Sequence, residues 1–342
     1  MKILLTADPA IPVPPVGYGG IERIVDALVR AYRSRGHVVG LLAHPDSSSE
    51  CDARFGWSSS GDGRGLGTLS NASSLFRATS AFQPEILHSF SRLGYLIPLL
   101  AGSLPKVMSY QRHTGGSQIT WASRLGRRSL RFTGCSEYIS SMGREAGGNW
   151  RTVHNFVELE KLTFVQKRPA DAPLLFLSRI ESIKGPDLAI EIARSSGRRL
   201  ILAGNRAETG PERDFWDSSI ARHLGRDGIE WVGEVNDRQK NELLGSAAAL
   251  VVPIRWDEPF GIVFAEALAT GTPVITCARG ATREIIDDGV TGFFIGSAAD
   301  GVAAVDRLDR IDHLECRKAA ETRFSRDICA EQYLELFREM QR

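Results

Sequence analysis

Two glutamates, Glu258 and Glu266, are separated by seven residues inside the stretch 257–274. An apolar, β-branched run precedes this stretch and predicts a buried strand. Pro259 suits the first turn of a helix and places Glu258 at the N-terminus of that helix. Gly271 is typical of a helix end. A helix N-terminus has unpaired N–H groups and a partial positive charge, so it can bind a phosphate. A phosphate site beside carboxylates fits a sugar phosphate, whose hydroxyls need hydrogen-bond acceptors.

A pair of cations, Arg179 and Lys184, follows the apolar run 174–177. Ligands of open α/β sheets bind at the carboxyl ends of the strands. There the arginine fork and the lysine point charge can converge on one anion. Considered alone, the spacing of this pair fits an anion-binding site and two surface cations equally well. The glutamate pair alone favours a solvated helix face.

Two weaker signals lie nearer the N-terminus. Gly19 and Gly20 follow the first predicted strand, where a glycine-rich loop lets backbone amides approach a phosphate. They match neither the dinucleotide fingerprint nor the P-loop, so a tight turn is the preferred reading of the glycines alone. His113 lies in a polar cluster after the predicted strand 106–110. A histidine that contacts a ligand and a loop histidine with ordinary hydrogen bonds are equally favoured at this position.

Together these motifs resemble the donor site of retaining glycosyltransferases of family 4. The resemblance rests on Glu-Pro-Phe-Gly…Glu-Ala-Leu-Ala-x-Gly-x-Pro-Val from Glu258 and on Arg-x4-Lys-Gly from Arg179. It covers nearly the whole chain and is strongest over 174–296. It implies the GT-B fold, in which two Rossmann-like, doubly wound parallel-sheet domains face each other across a cleft. It also implies a nucleotide-diphosphate sugar as donor, with UDP ahead of dTDP and GDP.

The same resemblance implies roles for individual residues. Four are expected to be catalytic: Glu258 accepts from sugar hydroxyls, His113 orients the sugar, and Arg179 and Lys184 hold the diphosphate. Glu266 is expected to accept from the ribose hydroxyls. The further donor-binding positions are Gly19, Gly20, Gly233, Phe260, Gly261 and Ile262. The chain departs from the family pattern at Phe156 and Ala281, where the family has glycine.

Composition narrows the class of protein. The 342 residues favour two domains, and a net charge of +1 gives no reason to expect nucleic acid as partner. No apolar run reaches the length of a membrane span. Five cysteines without metal-ligand spacing fit a reducing cytoplasm. Because the chain contains no Asp-x-Asp pair, we expect no metal or other cofactor, with cations and peptide amides stabilising the leaving group instead.

Hydrophobic patterns predict two α/β domains, over 1–160 and 161–325. The resemblance implies that the first is the acceptor-side domain and the second the donor domain, and that a last helix over 326–342 crosses back to the first. Strands alternating with helix-length segments predict parallel sheets. Helices are expected near 71–81 and 94–102. The polar stretch 45–67 predicts a mobile surface loop. The basic stretch 124–131 favours a solvated helix face over contact with a phosphorylated or membrane-bound acceptor.

Three functions are compatible with these observations. The first is retaining transfer of a sugar to a small-molecule or glycan hydroxyl, and the chain length resembles that of transferases of antibiotic assembly. The second keeps the fold but changes the reaction, to epimerisation of a nucleotide sugar or to inverting transfer. The third is a nucleotide-sugar binder without turnover. The sequence names neither the sugar nor the acceptor.

Overall fold

The computed structural model describes residues 1–17, 19–60, 65–113 and 116–342. Two compact units are present. The N-terminal unit contains Met1–Phe156 together with Arg326–Arg342, and the C-terminal unit contains Val157–Ser325.

The N-terminal unit is built on a seven-stranded sheet in the order β3-β2-β1-β4-β5-β6-β7, with all neighbouring strands parallel. Its central strands are buried on both faces, as expected for a parallel sheet covered by helices. The strands are β1 (Lys2–Thr6), β2 (Val38–Ala43), β3 (Ala53–Gly56), β4 (Ile86–Ser89), β5 (Lys106–Tyr110), β6 (Leu130–Gly134) and β7 (Trp150–Thr152).

Helices cover this sheet through apolar faces. The first four are α1 (Gly20–Ser34), α2 (Leu66–Phe82), α3 (Gly116–Gly126) and α4 (Glu137–Glu145). A 3₁₀ helix, Leu93–Leu99, follows β4. It shares one core cluster with α2 and α3, to which Leu75, Tyr95 and Ile119 contribute. These three elements therefore cover the same face of the sheet.

Two local predictions for this unit were wrong. The stretch 45–67 contains β3, which pairs with β2, and Trp57 beyond it is 4% exposed and donates to the Ala7 carbonyl at 2.9 Å. A four-residue edge strand is too short to show in hydrophobic patterning. Residues 61–64 of that stretch lie outside the described part. The second predicted helix is the 3₁₀ helix; Pro98, inside it, lacks the N–H that an α-helix needs.

The C-terminal unit is built on a six-stranded parallel sheet in the order β10-β9-β8-β11-β12-β13. Its strands are β8 (Leu174–Leu177), β9 (Leu200–Ala203), β10 (Ile229–Trp231), β11 (Ala249–Val252), β12 (Val274–Thr276) and β13 (Gly292–Phe294). Its helices are α5 (Pro186–Ser195), α6 (Pro211–Phe215), α7 (Asp237–Ser246), α8 (Ile262–Ala269), α9 (Thr282–Ile285), α10 (Ala298–Val305) and α11 (His313–Arg323).

The last helix, α12 (Arg326–Gln341), packs in the N-terminal unit. Its Tyr333 and Phe337 rings lie 4.5 and 5.3 Å from the ring of His88 on β4. His88 is fully buried, and its Nε2 lies 2.8 Å from the Ser109 hydroxyl. Burial lowers the pKa of His88 to about 3, so a neutral ring fills this position.

Both sheets have the strand order of a doubly wound fold, which confirms the predicted class of two Rossmann-like parallel-sheet domains. Within the described residues, no helix combines the length and the apolar character needed to cross a bilayer.

Candidate active site

The strand order of the C-terminal unit reverses direction between β8 and β11, which are adjacent in the sheet. Ligands of open α/β sheets bind outside the carboxyl ends of the strands at such a reversal. The loop after β8 carries Arg179 and Lys184, and the loop after β11 carries Glu258. The topology therefore brings three of the predicted residues to one place.

An ion pair joins these two loops. Lys184 Nζ lies 2.6 Å from Glu258 Oε2, and both residues are 9% exposed. Trp256 completes the group, because its Nε1–H donates to the same Oε2 at 2.9 Å. The Lys184 ammonium also lies 4.6 Å from the centre of a Trp256 ring. Two donors and an aromatic face thus hold the buried charges in place.

Backbone contacts hold the two loops together. The Arg255 amide donates to the Ile183 carbonyl at 2.8 Å. Gly185 has φ +74°, and a Cβ there would overlap the carbonyl oxygen of Pro253. Only glycine fits so close an approach in the left-handed region. The position of Lys184 is therefore fixed by the chain on both sides of it.

A third loop, after β12, packs against Glu258. Gly280 has φ +55°, and a Cβ on it would lie 2.5 Å from the Glu258 amide nitrogen. The Ala281 amide donates to the Glu258 carbonyl at 2.9 Å. The alanine that replaces a family glycine at 281 is fully buried.

The helix after Glu258 begins later than its sequence predicts. Gly261, with φ +87°, is the N-cap residue, and α8 starts at Ile262, so Pro259 lies in the preceding loop. The prediction that Pro259 occupies the first helical turn was wrong, because the left-handed glycine sets the helix start. A Cβ on Gly261 would lie 3.2 Å from Glu258 Cγ, so the carboxylate lies beside this N-terminus.

Phe260 has a different environment from the rest of this loop. Its side chain is 2% exposed, and its ring packs edge-on against Phe324 at 5.7 Å. Only the Phe260 backbone can therefore face a ligand.

Glu266 lies two turns along the same segment, on α8. Its side chain is 16% exposed and forms an ion pair with Lys240 of α7. Lys240 Nζ also lies 3.5 Å from Asp237. A carboxylate has two oxygens and about four acceptor sites, so the pair with Lys240 leaves acceptor capacity for hydroxyls.

Arg179 and Gly233 lie at the side of the site nearest β9. Arg179 forms an ion pair with Glu181, and its side chain is 39% exposed. The Gly204 amide after β9 donates to the Gly233 carbonyl at 2.8 Å. The Ile180 amide donates to the Asn205 carbonyl at 2.9 Å, which connects these loops in turn.

The remaining predicted residues belong to the N-terminal unit. Gly19 is the N-cap residue of α1, with φ 155°, and a Cβ there would lie 2.6 Å from Pro15 Cβ. Gly20 is the first residue of the helix. Glu22, in its first turn, is 5% exposed, and burial raises the pKa of its carboxyl.

His113 is exposed at the end of the loop after β5. Its Nε2 lies 3.2 Å from the hydroxyl of Tyr138, which is in the first turn of α4. The two rings meet edge-on, 5.6 Å apart. Residues 114 and 115, which follow it in the sequence, lie outside the described part.

Sequence reasoning missed several side chains that touch predicted site residues, among them Trp256, Lys240 and Tyr138. Trp256 was visible as an aromatic residue two positions before Glu258, and Tyr138 as the residue after the cap Ser136-Glu137. Lys240 gives no local signal, since it is 26 residues from its partner Glu266.

Among the described residues, no three His, Cys, Asp or Glu side chains converge in a way that could hold a metal ion. The carboxylates of the site form ion pairs with Lys184, Lys240 and Arg179 instead.

Two family descriptions match consecutive parts of the chain. Residues 18–161 match Glycosyltransferase Family 4, and residues 160–324 match Glycosyl transferases group 1. The two matched regions meet near the point where the structure divides into its two units.

Similar proteins cover most of the chain. Glycogen synthase of Mycobacterium tuberculosis (strain CDC 1551 / Oshkosh) is 25% identical over 336 residues, which cover 82% of this chain and 79% of that protein. The crystal structure of AviGT4, a glycosyltransferase involved in avilamycin A biosynthesis, has a TM-score of 0.72 at 23% identity, covering 99% of this chain and 97% of that chain.

A third similar protein is Anabaena Alr3699/HepE in complex with UDP-glucose. It has a TM-score of 0.72 at 18% identity, covering 99% of this chain and 100% of that chain. At these identities the solved structures show the fold alone. The two family descriptions together match residues 18–324, so the chain belongs to the glycosyltransferases of the group 1 and family 4 type, and the solved structures show that it has their GT-B fold.

Proposed function

We propose that this glycosyltransferase moves a sugar from a nucleotide-diphosphate sugar, with UDP as the nucleotide, to an acceptor hydroxyl with retention at the anomeric carbon. The observation that carries the proposal is the Lys184–Glu258 pair at the point where the strand order reverses. It sets a diphosphate-binding cation beside a hydroxyl-accepting carboxylate. The complex of the similar HepE protein with UDP-glucose supports this donor class.

The paired lysine can still bind a phosphate. An ammonium group has three donors, and Glu258 takes one of them. Burial makes an unpaired charge costly, so the carboxylate compensates the charge of Lys184 and holds its ammonium group in place before the donor arrives. The backbone N–H groups at the start of α8 lie beside Glu258 and can approach the same anion.

The chemistry that follows is a substitution at the anomeric carbon. The bond from that carbon to the diphosphate oxygen breaks, and a bond to the acceptor oxygen forms on the same face of the ring. The acceptor proton leaves with the departing phosphate. Negative charge develops on the diphosphate, where Lys184 and Arg179 stabilise it. The proposed reaction uses no metal ion. The roles of His113, Gly19, Gly20 and Gly233 stay predictions.

The biosynthetic setting belongs to the same proposal. The similarity to AviGT4 supports an acceptor from natural-product assembly, and the similarity to glycogen synthase supports a glycan. A cytoplasmic location fits an enzyme that uses nucleotide sugars.

Substituting the two glutamates tests the proposal. Glu258→Ala should lower kcat for transfer from UDP-glucose by about 100-fold or more, the usual effect of losing one transition-state contact. UDP binding should persist, because Lys184 remains. Glu266→Ala should instead weaken UDP binding about tenfold, equal to about one hydrogen bond to a charged group. Calorimetry with UDP and initial rates separate the two effects.

Glu242→Ala is the matched control, because Glu242 is an exposed glutamate on α7 that pairs with Arg238. Unchanged activity and binding in both test variants would end the donor-site proposal. A β-linked product from an α-linked donor would end the assignment of retention. Measurable UDP binding with no transfer or hydrolysis of any donor would identify a binding protein.

A further inference from the structure

An arginine lies against two tryptophan rings near the carboxyl ends of β9 and β10. The Cζ atom of Arg206 is 5.0 Å from the centre of a Trp216 ring and 5.3 Å from the centre of a Trp231 ring. The two indoles meet edge-on, with their ring centres 4.8 Å apart. The Nε1–H of Trp231 donates to the Gly204 carbonyl at 3.0 Å, which ties this ring to the loop that carries Arg206. The aromatic faces therefore hold the guanidinium in a defined place.

The guanidinium of Arg206 has unused hydrogen-bonding capacity. A guanidinium has five N–H donors, and none of those of Arg206 forms a hydrogen bond or an ion pair within the described part of the chain. The residue is half-buried, so the rings exclude part of the water that would otherwise pair with these donors. Because unpaired donors away from water cost free energy, a ligand with acceptors gains by binding here.

The position of Arg206 in the sheet places it on one side of the donor site. A parallel bridge between Ile180 and Arg206 sets it beside the loop that carries Arg179. Glu258 lies on the other side of that loop, because β9 and β11 flank β8. With the diphosphate at the end of β8 and the sugar beside Glu258, the nucleoside is left to extend over β9 towards β10. The distance from β8 to β10 is two strand spacings, about 10 Å.

We propose that Arg206 selects the nucleobase of the donor by donating to a ring carbonyl. The inference rests on the proposed function and narrows its donor to a nucleotide whose base has a carbonyl at this edge. Thymine and uracil present O4 and guanine presents O6, whereas cytosine and adenine present an amino group at the corresponding place. A guanidinium has donors and no acceptor, so it can pair with the carbonyl and not with the amino group.

Calorimetry with UDP and CDP on the full chain tests this role, because the two nucleotides share the ribose and the diphosphate and differ only in the base. The wild type should bind UDP about tenfold more tightly than CDP, the effect of one hydrogen bond to a charged group. In Arg206→Gln the ratio should fall to about one, since an amide can donate to a carbonyl or accept from an amino group. Arg206→Lys keeps a charged donor and should still prefer UDP. Both nucleotides are measured on one sample, so the ratio does not depend on how much of a variant is folded.

Arg307→Gln is the matched control, because Arg307 also lies over an aromatic ring of the C-terminal unit, 4.6 Å from the centre of Phe293. It should keep the wild-type ratio. Equal binding of UDP and CDP by the wild type, or an unchanged ratio in Arg206→Gln, would overturn the role of Arg206 and leave the proposed function standing. An equal loss of both nucleotides in Arg206→Gln, with the ratio kept, would also overturn it. A wild type that binds no nucleoside diphosphate would contradict the proposed function itself, and this inference with it.

Discussion

At the scale of single residues, the C-terminal unit organises its site around one carboxylate oxygen. Glu258 Oε2 accepts from both Lys184 and Trp256, and the Trp256 ring also faces the lysine. Trp256 therefore contacts both charges at once. We regard it as a positioning residue, because it acts on the donor through Lys184 and Glu258.

Two substitutions separate the contributions of Trp256. Trp256→Phe keeps an aromatic face beside Lys184 and removes the N–H donor, so kcat/KM should fall about tenfold, the effect of losing one hydrogen bond to a charged group. Trp256→Leu also removes the aromatic face and should cost a further few-fold. Initial rates and UDP affinity check both values. Wild-type kinetics in both variants would show that Lys184 and Glu258 need no support from the ring.

At the scale of elements, three loops after β8, β11 and β12 meet at Glu258 and Lys184, and glycines allow their close approach. Gly185 faces the end of β11, and Gly280 faces the backbone of Glu258. The geometry of the site therefore depends on backbone positions that carry no functional group.

A matched pair of glycine substitutions tests this dependence. Gly280→Ala places a methyl group against the Glu258 backbone, whereas Gly289→Ala has a similar φ, +76°, and nothing within 4 Å. Gly289→Ala should lose about 1 kcal/mol of unfolding free energy from left-handed strain, and Gly280→Ala should lose more, because its methyl group also overlaps the Glu258 backbone. Only Gly280→Ala should also weaken UDP binding, because the Glu258 loop must shift. Chemical denaturation and calorimetry measure the two quantities. Equal UDP affinity in the two variants would contradict the proposed role of the contact.

At the scale of the whole molecule, the last helix of the chain completes the N-terminal core. Tyr333 and Phe337 of α12 pack around the buried ring of His88 on β4. The pKa of His88 falls to about 3 because burial excludes the charged form. The core therefore holds a titratable group that must stay neutral.

This burial predicts acid sensitivity. Above pH 6.5, His88 is neutral in both the folded and unfolded states, so its titration does not change the stability. As the pH falls from 6.5 to about 3, the unfolded chain binds a proton that the folded chain excludes, so His88 costs about 1.4 kcal/mol per pH unit. His88→Gln, which cannot titrate, should show a shallower loss. Denaturation curves between pH 7 and 4 compare the slopes, and parallel slopes would refute the assignment.

Sequence alone determined the local elements and the type of site. Apolar strand runs alternating with helix-length segments predicted two doubly wound sheets, because buried parallel strands leave a continuous hydrophobic signal. The motif around Glu258 and the Arg179–Lys184 spacing predicted the family, since both occur in single short segments. The start of α8 and the edge strand β3 were missed, because one left-handed glycine or four half-exposed residues decide them.

Tertiary structure alone decided the partners. Lys184 and Glu258 are 74 residues apart, and Glu266 and Lys240 are 26 apart, so no local period could pair them. Hydrophobic periodicity shows which face of a helix is buried. Only the packing of the whole unit shows which residues from distant segments lie on one surface or form an ion pair.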